Sequence, residues 1–368
     1  MTNKNDAKYL NALNKISGFG AKRLERLVSF FGNAHTAWEA DSASLLKSGL
    51  GEKLTQNFYS ERKKISPEIE WEKLEREKIR LIDLNDDKYP ALLKESSHAP
   101  YLLYIRSAEQ EISTLFDSPA IAIVGARKNT PYGALAAQNL AKDLVQAGLT
   151  VVSGMALGID TWAHRGALDG NGKTLAILGN GVEDDHIYPR DNFNLSRRIM
   201  SSGALLSEFS SAPQVGKFIF PARNRIVAGL TLGTIVVEAG EKSGSLITAR
   251  MALEDNREVF AVPGPIFSES SIGTNGLIRM GAKIVTGVKD ILEELGLEEY
   301  SRKRNSPPKI PENETEAIIL RTLSGEPLHI DNIARTITLQ TASVASALSI
   351  MEMKGWVKNI GGQNYILM

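Results

Sequence analysis

The chain has 368 residues, with 43 Lys and Arg against 43 Asp and Glu, 31 glycines and no cysteine. At about 100–200 residues per domain this length suggests two or three domains; 42% hydrophobic and 23% charged residues fit a folded chain, not a disordered one. The lack of cysteine excludes disulfides, thiolate zinc sites, iron–sulfur clusters and cysteine nucleophiles together, and the neutral total speaks against a broad nucleic-acid face, which needs a basic excess.

The first residues, MTNKNDAKYLNALNKI, are polar and lack the apolar core of a signal peptide. No apolar run approaches the ~18 residues of a membrane span, so a cytoplasmic protein with no membrane partner is expected. Residues 1–66 read as a helical unit of helix-hairpin-helix or SAM-like type. Two glycine hairpins punctuate it, Gly18-Phe19-Gly20 followed by Lys22 and Arg23, and Gly49-Leu50-Gly51 followed by Lys53. Gly-x-Gly between helices lets backbone amides approach a phosphate. It equally permits close helix packing, and the sequence leaves both readings open.

Residues 67–298 alternate short apolar runs with helical patterns. A charged helix is expected at Trp71–Arg80 and a strand at Tyr101–Ile105. Further strands are expected at Ala120–Val124, Leu149–Val152, Thr174–Leu178, Ala204–Leu206, Thr234–Val237, Val259–Val262 and Lys283–Val285. The helical pattern Ala134–Gln146 closes at Gly148, as a left-handed C-terminal cap requires. Continuous apolar strands separated by helices imply a parallel sheet covered on both faces. The expected fold is therefore α/β, a doubly wound parallel sheet of extended Rossmann-like type. Gly125 ends the first strand of that pattern opposite a helix start, a good anion site in such folds.

Residues 299–311, with three prolines and the Arg302-Lys303-Arg304 run, read as a linker. Residues 312–368 then follow winged-helix order: helix Glu314–Leu323, strand Leu328–Ile330, a helix capped by Asp331, helix Ala342–Lys354 and a hairpin over Trp356–Leu367. The stretch Ala342–Met353 carries no basic residue, whereas a groove-reading helix needs Arg, Lys, Asn or Gln. The module reads as a protein-contact or accessory element rather than a DNA reader.

Several familiar motifs fail on inspection. G-x-G-x-x-G and its acidic ribose partner are absent, so nicotinamide and flavin dinucleotides are not expected. Gly172-Lys173-Thr174 resembles the end of a P-loop, but Ala167 stands where its first glycine belongs. His35, His98, His164, His186 and His329 form no metal spacing, and no Gly-x-Ser-x-Gly elbow exists. No metal, cofactor or catalytic residue is expected. The informative stretch is 209–237, which holds no acid over 29 residues yet carries Lys217, Arg223 and Arg225 with Phe218 and Phe220 between them. Cations with interleaved aromatics suit a single-stranded nucleic-acid groove. Core phenylalanines beside arginines that cap a helix or hold a small phosphate fit the composition equally well.

The same residues belong to a longer pattern. Ala122-Ile-Val-Gly125-Ala-Arg127, Pro131-Tyr132-Gly133, Ser153-Gly154-Met-Ala-Leu-Gly158-Ile-Asp160, Ala163-His164, Tyr188-Pro189-Arg190 with Asn192, Leu206-Ser207-Glu208, Phe220-Pro221-Ala-Arg223-Asn224-Arg225, Val237-Glu238-Ala239, Ser243-Gly244-Ser245-Leu-Ile-Thr248-Ala-Arg250, Val262-Pro263-Gly264 and Gly273-Thr274-Asn275 follow in order over about half the chain. As a set they resemble the DNA-processing protein A family (DprA, also called Smf). The resemblance implies an extended Rossmann-like domain that binds single-stranded DNA without catalysis, forms a homodimer, and loads the RecA recombinase onto incoming strands in natural transformation. Its DNA pocket would carry over to Arg127 with Lys128, Arg190, Lys217, Phe220 and Arg223-Asn224-Arg225. Close backbone approaches would fall at Gly125 and Ser153-Gly154. Ala126 stands where the family usually has Ser or Thr, and Leu157 where Arg is frequent.

Two rival functions remain at this level. The fold type resembles the phosphoribohydrolases of the lysine decarboxylase-like group. Here, however, Gly229 to Glu238 lacks their Pro-Gly-Gly start and has one extra residue before the carboxylate. The other rival is a nucleotide sensor that signals through the winged helix.

Overall fold

The computed structural model describes residues 4–209, 219–305, 311–323, 327–354 and 356–367, with side chains left undescribed at 4–5, 219–221 and 302–305. The chain divides into two compact units, residues 1–305 and 306–368.

Among the described residues of the first unit nine strands form one sheet. They are β1 (Ile79–Asp83), β2 (Leu102–Arg106), β3 (Ala120–Val124), β4 (Thr150–Ser153), β5 (Thr174–Ile177), β6 (Ala204–Ser207), β7 (Gly233–Val236), β8 (Glu258–Ala261) and β9 (Lys283–Ile284). Their order is β1-β2-β6-β5-β4-β3-β7-β8-β9. β1 pairs antiparallel with β2, and β2 with β6, while every other pairing is parallel. The chain builds outward from β3 to β6, then returns to lay β7 on the other side of β3. That reversal is the switch point at which open α/β sheets hold ligands beyond their strand ends.

The two faces explain the apolar runs. Ala122 and Val124 join one core with Ile226, Ala249 and Leu277, whereas Ile121 and Ile123 join the opposite core with Leu144, Ala163 and Ile291. Alternate residues of one strand thus serve opposite faces, as pleating dictates. Helix Pro131–Gln146 starts with Thr130 accepting from the Gly133 amide and Pro131 in its first turn. Beyond it Gly148, at φ 91°, turns the chain into β4.

One boundary differs from the sequence reading. The charged helix covers Pro67–Arg76, and Lys78 at φ 55° stops it, so Ile79 and Arg80 open strand β1. The left-handed residue breaks the hydrogen-bond ladder that the charge pattern alone would continue.

The N-terminal helices, among them Lys4–Asn14, Ala21–Phe31 and Glu52–Arg62, pack Leu13, Leu24, Trp38 and Phe58 into a core that continues to Tyr104 and Leu205 of the sheet. Asn14 donates to Tyr104 Oη at 3.2 Å and to the Glu208 carbonyl at 2.9 Å, tying the first helix to the end of β6. Helix Glu298–Asn305 extends into the segment expected as linker.

The second unit has helices Glu314–Thr322, Ile330–Ile337 and Thr341–Met353, with strands β10 (Leu328–His329), β11 (Val357–Asn359) and β12 (Asn364–Leu367) in the sheet order β10-β12-β11. This is a winged helix, as its order implied. Its second helix is capped by His329, which accepts from the Asp331 amide, so the expected Asp331 cap is displaced by two residues. Among the described residues no helix is long and apolar enough to cross a membrane.

Candidate nucleic-acid interface

The loops leaving β3, β4 and β5 meet over a pocket of about 50 Å³ lined by Arg127, Gly154, Leu157, Gly179, Tyr188 and Arg223, among others. Arg223 forms its floor. Its side chain is only 5% exposed, and Nη1 donates to the Gly154 carbonyl at 2.5 Å and to the Ile177 carbonyl. Nε donates to Asn224 Oδ1 at 3.2 Å. Burial lowers the Arg223 pKa, as does the neighbouring Arg127 charge, while Asp160 opposes both. A guanidinium remains charged under such shifts, so the floor is a fixed cation in a poorly solvated place.

The loop above it is locked by its own polar groups. Asp160, also buried, accepts from the Gly154 amide at 3.1 Å and the Ala156 amide at 3.4 Å. Burial raises its pKa, and the charge of Arg223 pulls it back. Asn192 donates to the Met155 carbonyl at 2.9 Å, fixing Met155 at φ 57°, a left-handed geometry that non-glycine residues adopt only under constraint. Gly158 lies at φ 85°, and a Cβ there would stand 2.3 Å from the Ala126 carbonyl. The β3 and β4 loops touch because that position is glycine.

The expected residues divide as follows. Arg127, Gly154 and Arg223 meet at the pocket. Lys128 is exposed on the same β3 loop. Ser153 is fully buried, its hydroxyl donated to the Ile123 carbonyl at 2.6 Å, so only its backbone faces the strand ends. Gly125 has a packing reason for lacking a side chain: a Cβ would lie 2.6 Å from Ile159. Arg190 is exposed and holds the carbonyls of Asp184 and Asp185 at 2.8 and 2.9 Å. Asn224 is half-buried beside Arg223. Arg225 pairs instead with Glu208 and the His98 carbonyl. Lys217 and the side chain of Phe220 lie outside the described residues.

One expectation is corrected. The helix N-terminus facing Gly125 is not an open anion site, because Glu238 already fills it. Its carboxylate, 3% exposed, accepts from the Thr130 amide at 2.9 Å and the Thr130 hydroxyl at 2.5 Å. The protein supplies its own anion to that dipole, and the open cavity lies instead over the ends of β4 and β5.

Sequence reasoning assigned no binding role to Tyr188 or Leu157, which are 49% and 44% exposed at the pocket. Tyr188 sits in a quoted motif, but only the structure shows its ring at a cationic pocket.

Comparison with known proteins adds the lineage. The family model described as DNA recombination-mediator protein A matches residues 80–296, and that of the DprA winged helix domain matches residues 303–363. The chain belongs to the DNA-processing protein A family, DprA/Smf. Protein Smf of Escherichia coli is 36% identical over 330 residues, covering 88% of this chain and 86% of its own. DprA of Streptococcus pneumoniae is 43% identical over 220 residues, covering 60% and 76%. The X-ray structure of the pneumococcal DprA superposes with a TM-score of 0.66 at 35% identity, over 80% of this chain and 99% of that one. A Helicobacter pylori DprA structure, described for its single-stranded DNA binding mode, gives 0.52 at 30% identity over 59% and 95%.

Proposed function

We propose that this chain binds single-stranded DNA in the Arg127–Gly154–Arg223 pocket and acts as a recombination mediator, not as an enzyme. In this reading it shields an incoming strand and passes it to the RecA recombinase during natural transformation, working in the cytoplasm as a homodimer. The carrying observation is the buried Arg223, whose cation is held in place by main-chain carbonyls with Arg127 at the same pocket. Such a site attracts a phosphate. Tyr188 supplies an exposed ring on which a base can stack. The Helicobacter pylori relative's described binding mode supports the same ligand.

The enzyme reading is disfavoured by Glu238. The carboxylate that a phosphoribohydrolase would use is buried and spent on the amide and hydroxyl of Thr130. A homodimer is supported by exposed apolar residues on the β8–β9 side, where Phe267 is 96% and Met280 76% exposed. Sedimentation velocity of the parent and Met280→Glu tests that part, the variant being expected to sediment as a monomer.

The function itself is tested by competition. A labelled oligo(dT) should be displaced by unlabelled oligo(dT) far better than by dTMP, and bound chains should shorten the lag of RecA filament growth on that strand. Equal displacement by dTMP would favour a nucleotide sensor, release of free base from AMP an enzyme, and an unchanged lag would remove the mediator role.

A further inference from the structure

The first glycine hairpin is not absorbed by the pocket, and the structure separates its two glycines. Gly18 has an internal reason to be glycine: it lies at φ 89°, and a Cβ would approach Leu54 at 3.0 Å. Gly20 has none. Its backbone is ordinary, φ −83° and ψ 176°, and a Cβ would meet nothing within 4 Å among the described residues. It stands at the N-terminal cap of helix Ala21–Phe31 with no side chain capping the first turn. This is a position where Ser, Asp or Asn would ordinarily stabilise the helix.

Gly20 faces a cleft of about 590 Å³ between that hairpin, the 94–101 loop and Arg225. Three separate chain segments bring Lys22, Arg23, Lys94 and Arg225 to its walls, against Glu25 alone among the acids of the described lining. Arg225 is paired with Glu208, and Arg23 bonds the Gly18 carbonyl at 2.5 Å. Lys22 and Lys94 are exposed and form no ion pair among the described residues. Asn57 donates to the Ser17 carbonyl at 2.8 Å, fastening the hairpin to helix Glu52–Arg62. Two unpaired ammonium groups, uncapped amides and an empty position beside them form a cradle for a phosphate-bearing chain.

Position selects the ligand. Arg225 and Arg223 are two residues apart on helix Ile219–Gly229, about 200° around its axis. One therefore reaches this cleft while the other floors the pocket. We infer that the cleft is a second phosphodiester site, which takes the sugar-phosphate backbone of the same single strand where it continues past the Arg223 pocket. This inference rests on the proposed function for the nature of the strand, though not for the existence of the cleft.

The test compares oligo(dT) of about 6 and about 20 nucleotides, within and beyond the span of one compact site, by fluorescence anisotropy over a range of salt. The K22E/K94E double variant should bind the short strand like the parent. It should bind the long one about tenfold more weakly at low salt, with a salt slope shallower by about 1.4. Gly20→Asp should unfold no earlier than the parent, since it supplies the missing cap, yet lose long-strand affinity. A merely structural role for Gly20 would move stability instead. Equal long-strand affinity and slope in parent and double variant would overturn the inference. So would calorimetric binding of inorganic phosphate that the double variant abolishes while its oligonucleotide affinity stays intact. If Arg127→Ala binds both strands normally and K22E/K94E still loses the long one, the pocket reading fails and the cleft stands. If the parent binds neither strand, both fail.

Discussion

Gly154 and Arg223 share one volume: a Cβ on Gly154 would stand 2.2 Å from the Arg223 guanidinium nitrogens. The glycine is therefore what allows a buried arginine to reach the ends of β4 and β5. Gly154→Ala should displace that cation, lower oligo(dT) affinity about tenfold, and cost roughly 1–3 kcal/mol through overpacking. Anisotropy titration and urea unfolding on the same preparation check both effects.

Gly133 provides the contrast. A Cβ there would lie 2.2 Å from Glu238 Oε2, so Gly133→Ala disturbs the carboxylate that holds Thr130, the N-terminal cap of helix Pro131–Gln146. The expected stability loss is again about 1–3 kcal/mol, with oligonucleotide affinity of the folded protein within about twofold of the parent. Loss of binding without loss of stability would show that the helix N-terminus takes part in the ligand site after all.

Tyr188 carries the stacking expectation. Its ring is half exposed at the pocket. Tyr188→Ala should weaken binding by about 1–3 kcal/mol, the value of one base–aromatic stack, whereas Tyr188→Phe should bind like the parent. Equal weakening in both variants would point to the hydroxyl instead of the ring.

His164 sets a pH dependence. It is fully buried, and its pKa is lowered to about 3 by burial, with a smaller contribution from Arg223. Thr174 Oγ1 lies 2.7 Å from Nδ1 and donates to the Val151 carbonyl at 2.9 Å, so Nδ1 carries the proton and donates to Thr174. Nε2 has no hydrogen-bond partner among the described residues, and a second proton there would be buried without an acceptor. The unfolded chain takes up that proton near pH 6.5 and the folded one near 3, so stability rises with pH between them. The contribution is complete above about 6.5 and lost as the pH falls toward 3. Between pH 7 and pH 5 it amounts to ~2 kcal/mol. Urea midpoints across that range should therefore fall less for His164→Gln than for the parent.

The sheet was largely legible because buried parallel strands are continuous apolar runs, and Ala120–Val124 shows this directly. β1 was not, since Arg80 lies in a strand at the edge of the sheet and reads as a continuation of the charged helix before it. At the site, Arg223 and Arg225 looked like a matched pair because sequence spacing does not reveal which way each turns. What buries Arg223 is a set of main-chain carbonyls 46 and 69 residues away in sequence, and carbonyls leave no mark in a sequence. The same applies to Glu238, which holds the cap residue Thr130 from 108 residues away.

The central claim, that the pocket on β3 to β5 holds single-stranded DNA, is tested most directly with Arg127. It sits on an exposed loop at the pocket, so Arg127→Ala should fold like the parent. Anisotropy titration of labelled oligo(dT) at several salt concentrations should show the parent binding more weakly as salt rises. The variant should lose about tenfold in affinity, with a slope shallower by about 0.7, the share of one phosphate on a single strand. Identical affinity and slope for parent and variant would contradict the assignment of the pocket.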